Sequence, residues 1–144
     1  MKNVILTLLI AATAAFGQQG DNAKKKGAAS QAKVLTRAEF DDLLAKPEQL
    51  VIIDVRRPDE VKDNGGFPVY LSIQLADLEK SLAWIPKDRT VVTVSNHAAR
   101  GGRAADILAK NGFKVAGTIG AQNYEEQGGK LTKLEAPKRA AEKQ

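Results

Sequence analysis

A segment in the second half of the chain places a hydroxyl, an imidazole and a guanidinium within six residues. Residues 91–94 are an unbroken β-branched run, typical of a buried strand, and an apolar helical pattern begins near Gly101. A turn from strand to helix points backbone N–H groups and the positive helix end inward, which favours an anion. We therefore predict an anion-binding loop, which comprises Ser95, Asn96, His97, Ala98, Ala99, Arg100 and Gly101.

Ser95 and Arg100 are the residues of this loop best suited to chemistry. A serine hydroxyl becomes a nucleophile only beside a base, and His97, the single histidine of the chain, lies two positions away in a tight turn. We expect its ring to point outward, which makes a serine-based hydrolase the less favoured alternative. Arg100 is expected to bind the anion; the competing possibility is that it pairs with a neighbouring carboxylate.

Composition excludes several kinds of site. The chain has 144 residues and no cysteine, which rules out disulfides, thiolate chemistry and cysteine-ligated metals. One histidine cannot by itself build a multi-ligand metal centre. We therefore expect neither a metal nor a cofactor.

The elements around the loop predict an α/β fold, a three-layer sandwich in which a parallel sheet has helices on both faces. Ligands of such folds bind beyond the carboxyl ends of the strands, where Asp54 and Ser95 both lie. Strands are predicted at residues 50–53, 71–73, 91–94 and 115–119, and helices at 36–46, from 58, at 75–82, from 101 and at 122–127.

Three motifs together resemble the rhodanese-like (sulfurtransferase) domain family. They are Asp54-Val55-Arg56 with Glu60, the stretch Gly65-Gly66-Phe67-Pro68, and the segment from Ser95 to Arg100. The resemblance covers residues 34–129 and implies an active-site loop that runs from a nucleophilic cysteine to an arginine five positions on. A related phosphatase loop is one residue longer, so this spacing favours the sulfurtransferase branch.

In that family pattern, Ser95 occupies the position of the nucleophile and Arg100 that of the family arginine. The family's loop lowers the pKa of its cysteine and holds a persulfide, whereas a serine hydroxyl is far less acidic and forms no persulfide. The resemblance implies that Asp54, Arg56 and Glu60 brace the loop, and we expect Arg56 to pair with Glu60 or Asp54.

These observations predict a catalytically inactive rhodanese-like domain. It would bind a small oxyanion, or an acidic or modified group of an unidentified protein partner, in the loop from Ser95 to Arg100. Two alternatives stay open: an enzyme with a serine-based or residual sulfurtransferase-type activity, and a pure interaction scaffold. Two single aromatic residues, Trp84 and Tyr124, are expected to pack in the core.

The two ends of the chain differ from its centre. Lys2, the apolar run at 4–16 and the small residues that follow predict a signal peptide at 1–17. We therefore expect secretion to a bacterial periplasm, without a transmembrane anchor. Residues 18–33 and 130–144 are predicted to be a flexible basic leader and a disordered basic tail. Residues 34–129 carry twelve Lys or Arg against fourteen Asp or Glu, so specific nucleic-acid binding is not expected.

Overall fold

The computed structural model describes residues 29–133, which contain a four-stranded parallel sheet flanked by helices. The strand order is β2-β1-β3-β4, and all three pairings are parallel. The predicted α/β fold is therefore confirmed. The strands are β1 (Leu50–Asp54), β2 (Leu71–Ser72), β3 (Thr90–Ser95) and β4 (Lys114–Gly120), and the helices are α1 (Arg37–Leu44), α2 (Pro58–Asn64), α3 (Leu78–Ser81), α4 (Ala99–Lys110) and α5 (Ala121–Glu126).

Each face of the sheet has its own apolar core. On one face, Phe40 of α1 and Tyr124 of α5 pack edge-to-face against each other and against Phe67. On the other face, α3 and α4 cover β1 and β3 with Leu78 and Leu108, which are fully buried. Because both faces of β1 and β3 are covered, these strands have continuous apolar sequences rather than an alternating pattern.

Local signals in the sequence set several helix ends. Thr36 and Glu39 form the predicted capping box at the start of α1, and Pro58 begins α2. Gly112 follows α4 with φ of 78°, a left-handed conformation that favours glycine and ends the helix.

The prediction of one continuous helix at 75–82 was wrong. That segment consists of a 3-10 turn (Leu75–Asp77), the single turn of α3 and a second 3-10 turn (Leu82–Trp84). In this tight winding Ile85 takes the buried position after the last turn, and Trp84 is 83% exposed. The expectation that Trp84 packs in the core was therefore wrong, whereas that for Tyr124 is confirmed.

The domain makes backbone contacts slightly beyond residues 34–129. The Lys33 carbonyl accepts a hydrogen bond from the Thr118 N–H at 2.8 Å, and Thr132 pairs with Gly66 as an isolated antiparallel bridge.

The predicted signal peptide, and most of the predicted leader and tail, lie outside the described residues. Within residues 29–133, no helix has the length and apolar character needed to cross a bilayer.

A buried ion pair follows β1 directly. Arg56 is fully buried and donates to both carboxylate oxygens of Asp54, from Nε at 2.9 and 3.1 Å and from Nη2 at 2.7 Å. The same carboxylate accepts the backbone N–H of Arg56 at 3.0 Å. Two buried charges that satisfy each other in this way fix the direction in which the chain leaves the strand.

We predict that Arg56→Leu lowers the free energy of unfolding by about 3–5 kcal/mol, because it leaves the Asp54 carboxylate buried without a counter-ion. The adjacent Arg57 pairs with Asp59 at the surface, and Arg57→Gln is the matched control, which should leave the urea midpoint unchanged. Equal urea midpoints for the two variants would contradict the structural role assigned to Arg56.

Candidate functional site

The predicted loop lies at the carboxyl edge of the sheet. Asp54 ends β1 and Ser95 ends β3, and the register between the two strands pairs Asp54 with Val94. The chain leaves Ser95 through residues 96–98 and enters α4 at Ala99. The two motifs that follow β1 and β3 are therefore neighbours in space, as the topology of a parallel sheet requires.

A left-handed residue makes the loop tight. Ala98 has φ of 63° and is the only residue other than glycine with a positive φ among those described, a conformation that costs of order 1 kcal/mol or more in alanine. The Ala99 N–H donates to the His97 carbonyl at 2.8 Å, and the Gly102 N–H donates to the Ala98 carbonyl at 2.7 Å. The N–H groups of His97 and Ala98 have no acceptor within residues 29–133.

Ser95 lies at the base of this loop and is 1% exposed. Its Oγ accepts a hydrogen bond from the Gly101 N–H at 3.0 Å, which leaves the hydroxyl hydrogen available as a donor. His97 is exposed, and no hydrogen bond joins it to Ser95 in the described part of the chain. Ser95 therefore has no adjacent base there.

Two threonines that sequence reasoning missed hold Gly101 in place. Thr93 Oγ1 donates to the Gly101 carbonyl at 2.8 Å, and Thr118 Oγ1 donates to the Thr93 carbonyl at 3.1 Å. A methyl group at position 101 would overlap Thr118 Oγ1, so any larger residue would displace that side chain. The available signal was weak, because threonine is common in strands and neither Thr93 nor Thr118 belongs to a recognisable motif.

Arg100 forms a bidentate pair with Glu60 at the other end of the loop. Its Nη1 and Nη2 donate to the two carboxylate oxygens at 2.8 and 2.5 Å, and Asn96 Nδ2 donates to the same carboxylate at 2.9 Å. The hydrogen bonds from Arg100 lower the pKa of Glu60 to about 2, with a further contribution from the Arg57 backbone N–H. Glu60 in turn raises the pKa of Arg100.

This pairing changes what Arg100 can offer to an anion. A guanidinium has five N–H donors, and the bidentate contact with Glu60 uses two of them. The remaining three can still donate in a fixed direction, but the carboxylate offsets the positive charge. The loop therefore presents oriented hydrogen-bond donors without a net positive charge from its arginine.

The structure brings most, but not all, of the predicted site residues together. Asn96 links the two ion pairs, since its Oδ1 lies 3.5 Å from Arg56 Nη1 and its Nδ2 contacts Glu60. Arg56 pairs with Asp54 rather than with Glu60. His97 and Ala99 lie on the exposed side of the loop. Among residues 29–133, no group of three or more histidine or acidic side chains could hold a metal ion.

The Glu60 pair predicts a specific loss of stability in acid. Because the pKa of Glu60 falls from 4.5 in an unfolded chain to about 2, its stabilising effect is complete above the higher value and disappears as the pH falls through the lower one. Glu60→Gln should therefore reduce the acid-dependent loss of unfolding free energy between about pH 5 and 2.

Glu39→Gln is the matched control for this measurement. The pKa of Glu39 also falls to about 2, chiefly through Lys33, but its side chain is 41% exposed against 15% for Glu60. Solvent screening should make its contribution the smaller one. Urea unfolding at several pH values would contradict the assignment if Glu39→Gln removed as much of the acid dependence as Glu60→Gln.

Comparison with known proteins agrees with this architecture. The family model described as "Rhodanese-like domain" matches residues 36–126. YtwF of Bacillus subtilis (strain 168), a protein named as a sulfurtransferase, is 26% identical over 88 residues, or 61% of this chain and 84% of YtwF.

Solved structures agree as well. A rhodanese-related protein from Thermoplasma volcanium has a TM-score of 0.60 and 20% identity over 69% of this chain and 97% of its own. A rhodanese-like domain protein from Staphylococcus aureus has a TM-score of 0.59 and 21% identity over 72% of this chain and 99% of its own. The chain belongs to the rhodanese-like domain family.

Proposed function

We propose that this rhodanese-like domain binds a small oxyanion without forming a covalent bond, and that it does not transfer sulfur through a persulfide. The proposal rests on the oxygen atom that Ser95 places at the base of the loop. An oxygen stands where the family's reactive sulfur would be, buried and held by the Gly101 N–H at 3.0 Å. The chain contains no cysteine that could replace it.

The donors around Ser95 support anion binding. The N–H groups of His97 and Ala98 have no acceptor within residues 29–133, the Ser95 hydroxyl can donate, and the amino end of α4 adds a favourable dipole. Arg100 supplies further donors whose direction Glu60 fixes. A compact anion with three or more oxygens could accept from several of these donors at once. We expect the affinity of the loop for such an anion to be modest, because Glu60 offsets the charge of Arg100.

The alternatives have less support. A serine-based hydrolase needs a base that contacts Ser95, and the exposed His97 makes no such contact in the described residues. An interaction scaffold would not need Asn96 and Arg100 to donate to the same Glu60 carboxylate, or Ser95 to accept the Gly101 N–H. An acidic or modified side chain of a partner protein would present the same chemistry as a free anion. Export, as the N-terminal pattern predicts, would place the domain where such partners are extracellular or periplasmic.

We predict that Ser95→Cys creates thiosulfate:cyanide sulfurtransferase activity in a parent that has none. A thiolate in this loop can take the outer sulfur of thiosulfate, which releases sulfite, and cyanide then removes that sulfur as thiocyanate and regenerates the thiolate. Thiocyanate release measures the turnover. Ser81→Cys places a thiol on α3, where Ser81 is half-buried and its Oγ contacts the Asp77 carbonyl, and it serves as the control.

Two results would contradict this account. Turnover by the parent would show that the domain transfers sulfur without a cysteine. A Ser95→Cys variant no more active than Ser81→Cys would show that the loop does not activate a thiol.

Arg100 offers a second prediction. Arg100→Gln keeps much of the side-chain stem but loses the guanidinium. It should weaken sulfate binding by roughly tenfold, because it removes donors of the loop and leaves the Glu60 carboxylate without its partner. Arg103→Gln, one helical turn further on and exposed, should leave the affinity unchanged. Isothermal titration with sodium sulfate at constant ionic strength measures both. If the two variants weakened sulfate binding equally, the effect would come from the general charge of the surface and not from a defined site.

A further inference from the structure

The first half of β1 has no neighbouring strand on one of its two edges. β3 pairs with the whole of β1 from Leu50 to Asp54, whereas β2 pairs only with Ile53 and Asp54. The chain bends at Pro68 and Val69, just before β2, and these residues do not pair with the first half of β1. An unpaired strand edge of this kind offers backbone donors and acceptors to another chain.

The groove left at this edge is apolar and has a volume of about 450 Å³, within the usual range of ligand pockets. It lies at the amino end of β1, so it is separate from the loop at the carboxyl ends of β1 and β3. The inference is therefore independent of the proposed anion binding. The residues that line it include Leu44, Tyr70, Trp84 and Pro86, together with Ile52 of β1 and Arg89.

Solvent-exposed apolar side chains are concentrated here. Trp84 is 83% exposed, Val69 is 78% exposed and Leu71 is 39% exposed. They make up three of the four large apolar side chains that are exposed among residues 29–133, and all three line the groove. A clustered apolar surface of this kind marks a binding site more often than scattered exposed residues do.

Arg89 gives the groove a charge preference. It is the sole charged residue among those that line the groove, and within residues 29–133 no carboxylate lies within 4.0 Å of it. Arg37, Arg57 and Arg100 all have such a partner. An apolar ligand that also carries a carboxylate would satisfy both features.

The length of the free edge limits the ligand. Leu50, Val51 and Ile52 span roughly 10 Å as a strand, and the edge is bounded by the Pro47–Gln49 turn at one end and by β2 at the other. A segment of about three residues fits between this turn and β2. A polypeptide that ends in the groove therefore fits better than one that has to continue past the turn and past β2. A terminal ammonium group would be repelled by Arg89, so the terminus is a carboxyl end.

We propose that this groove binds the apolar C-terminal end of another polypeptide, which adds to β1 as a short strand and places its carboxylate beside Arg89. The Asp54 carbonyl bonds to the Ile73 N–H on the β2 side, and strand groups alternate in direction. The Ile52 N–H therefore points to the same side, beyond the end of the pairing with β2, and we infer that it donates to the incoming segment.

Trp84 provides the readout, because it is the single tryptophan of the chain. The probe is the peptide acetyl-Ala-Val-Ile-Val, titrated into the full chain as the free acid and as the C-terminal amide. The free acid should give a saturable change in tryptophan fluorescence, with roughly tenfold tighter binding than the amide. Arg89→Gln should remove that difference, whereas Arg103→Gln, also an exposed arginine without a carboxylate partner in the described residues, should preserve it.

A second measurement tests the strand geometry. In ¹H–¹⁵N spectra, the free acid should shift the Ile52 amide resonance and slow its hydrogen exchange. The proposal is overturned if the amide binds as tightly as the acid, if Arg89→Gln has no effect, or if Ile52 is unaffected while fluorescence changes. It is also overturned if decanoate binds and the peptide does not, or if fluorescence changes on dilution because a second copy of the chain fills the groove.

Discussion

A continuous series of polar contacts joins β1 to α4 across the carboxyl edge of the sheet. It starts at the buried pair of Asp54 and Arg56, passes through Asn96, and ends at the pair of Glu60 with Arg100. Asp54 and Arg56 are fully buried and require each other, because an unpaired charge in the interior costs several kcal/mol. Glu60 and Arg100 are only partly buried, and their pair holds the far end of the loop. The position of the loop after β3 therefore depends on the residues that follow β1.

The residues that hold the loop in shape are therefore different from the residue that would supply its nucleophile. The contacts that hold the loop involve Glu60, Asn96, Gly101 and two threonines, and none of them requires a sulfur atom at position 95. A change of one atom from sulfur to oxygen can therefore remove thiolate chemistry while the donors of the loop stay in place. Binding without turnover is the function that we propose for this loop.

The sequence was sufficient for those features that local rules determine. β-branched runs predicted the two central strands, the Thr36 capping box predicted the start of α1, and the family motifs predicted that Asp54 and Ser95 would be neighbours. Which carboxylate would pair with Arg56 could not be predicted, because Asp54 and Glu60 are both within reach along the chain. The contact of Thr118 with Gly101 depends on tertiary packing between β4 and α4, which no local pattern reports. Trp84 was misassigned because a break in the helical winding turned it outward.

The central claim is that the loop from Ser95 to Arg100 is a working anion site in a domain without the family's thiol. The most direct test is a ¹H–¹⁵N titration of the protein with thiosulfate, sulfate and phosphate at constant ionic strength. The account predicts saturable shifts confined to the amides of residues 96–101, with the largest at His97 and Ala98. Flat spectra, or shifts spread evenly over exposed lysines and arginines, would contradict it.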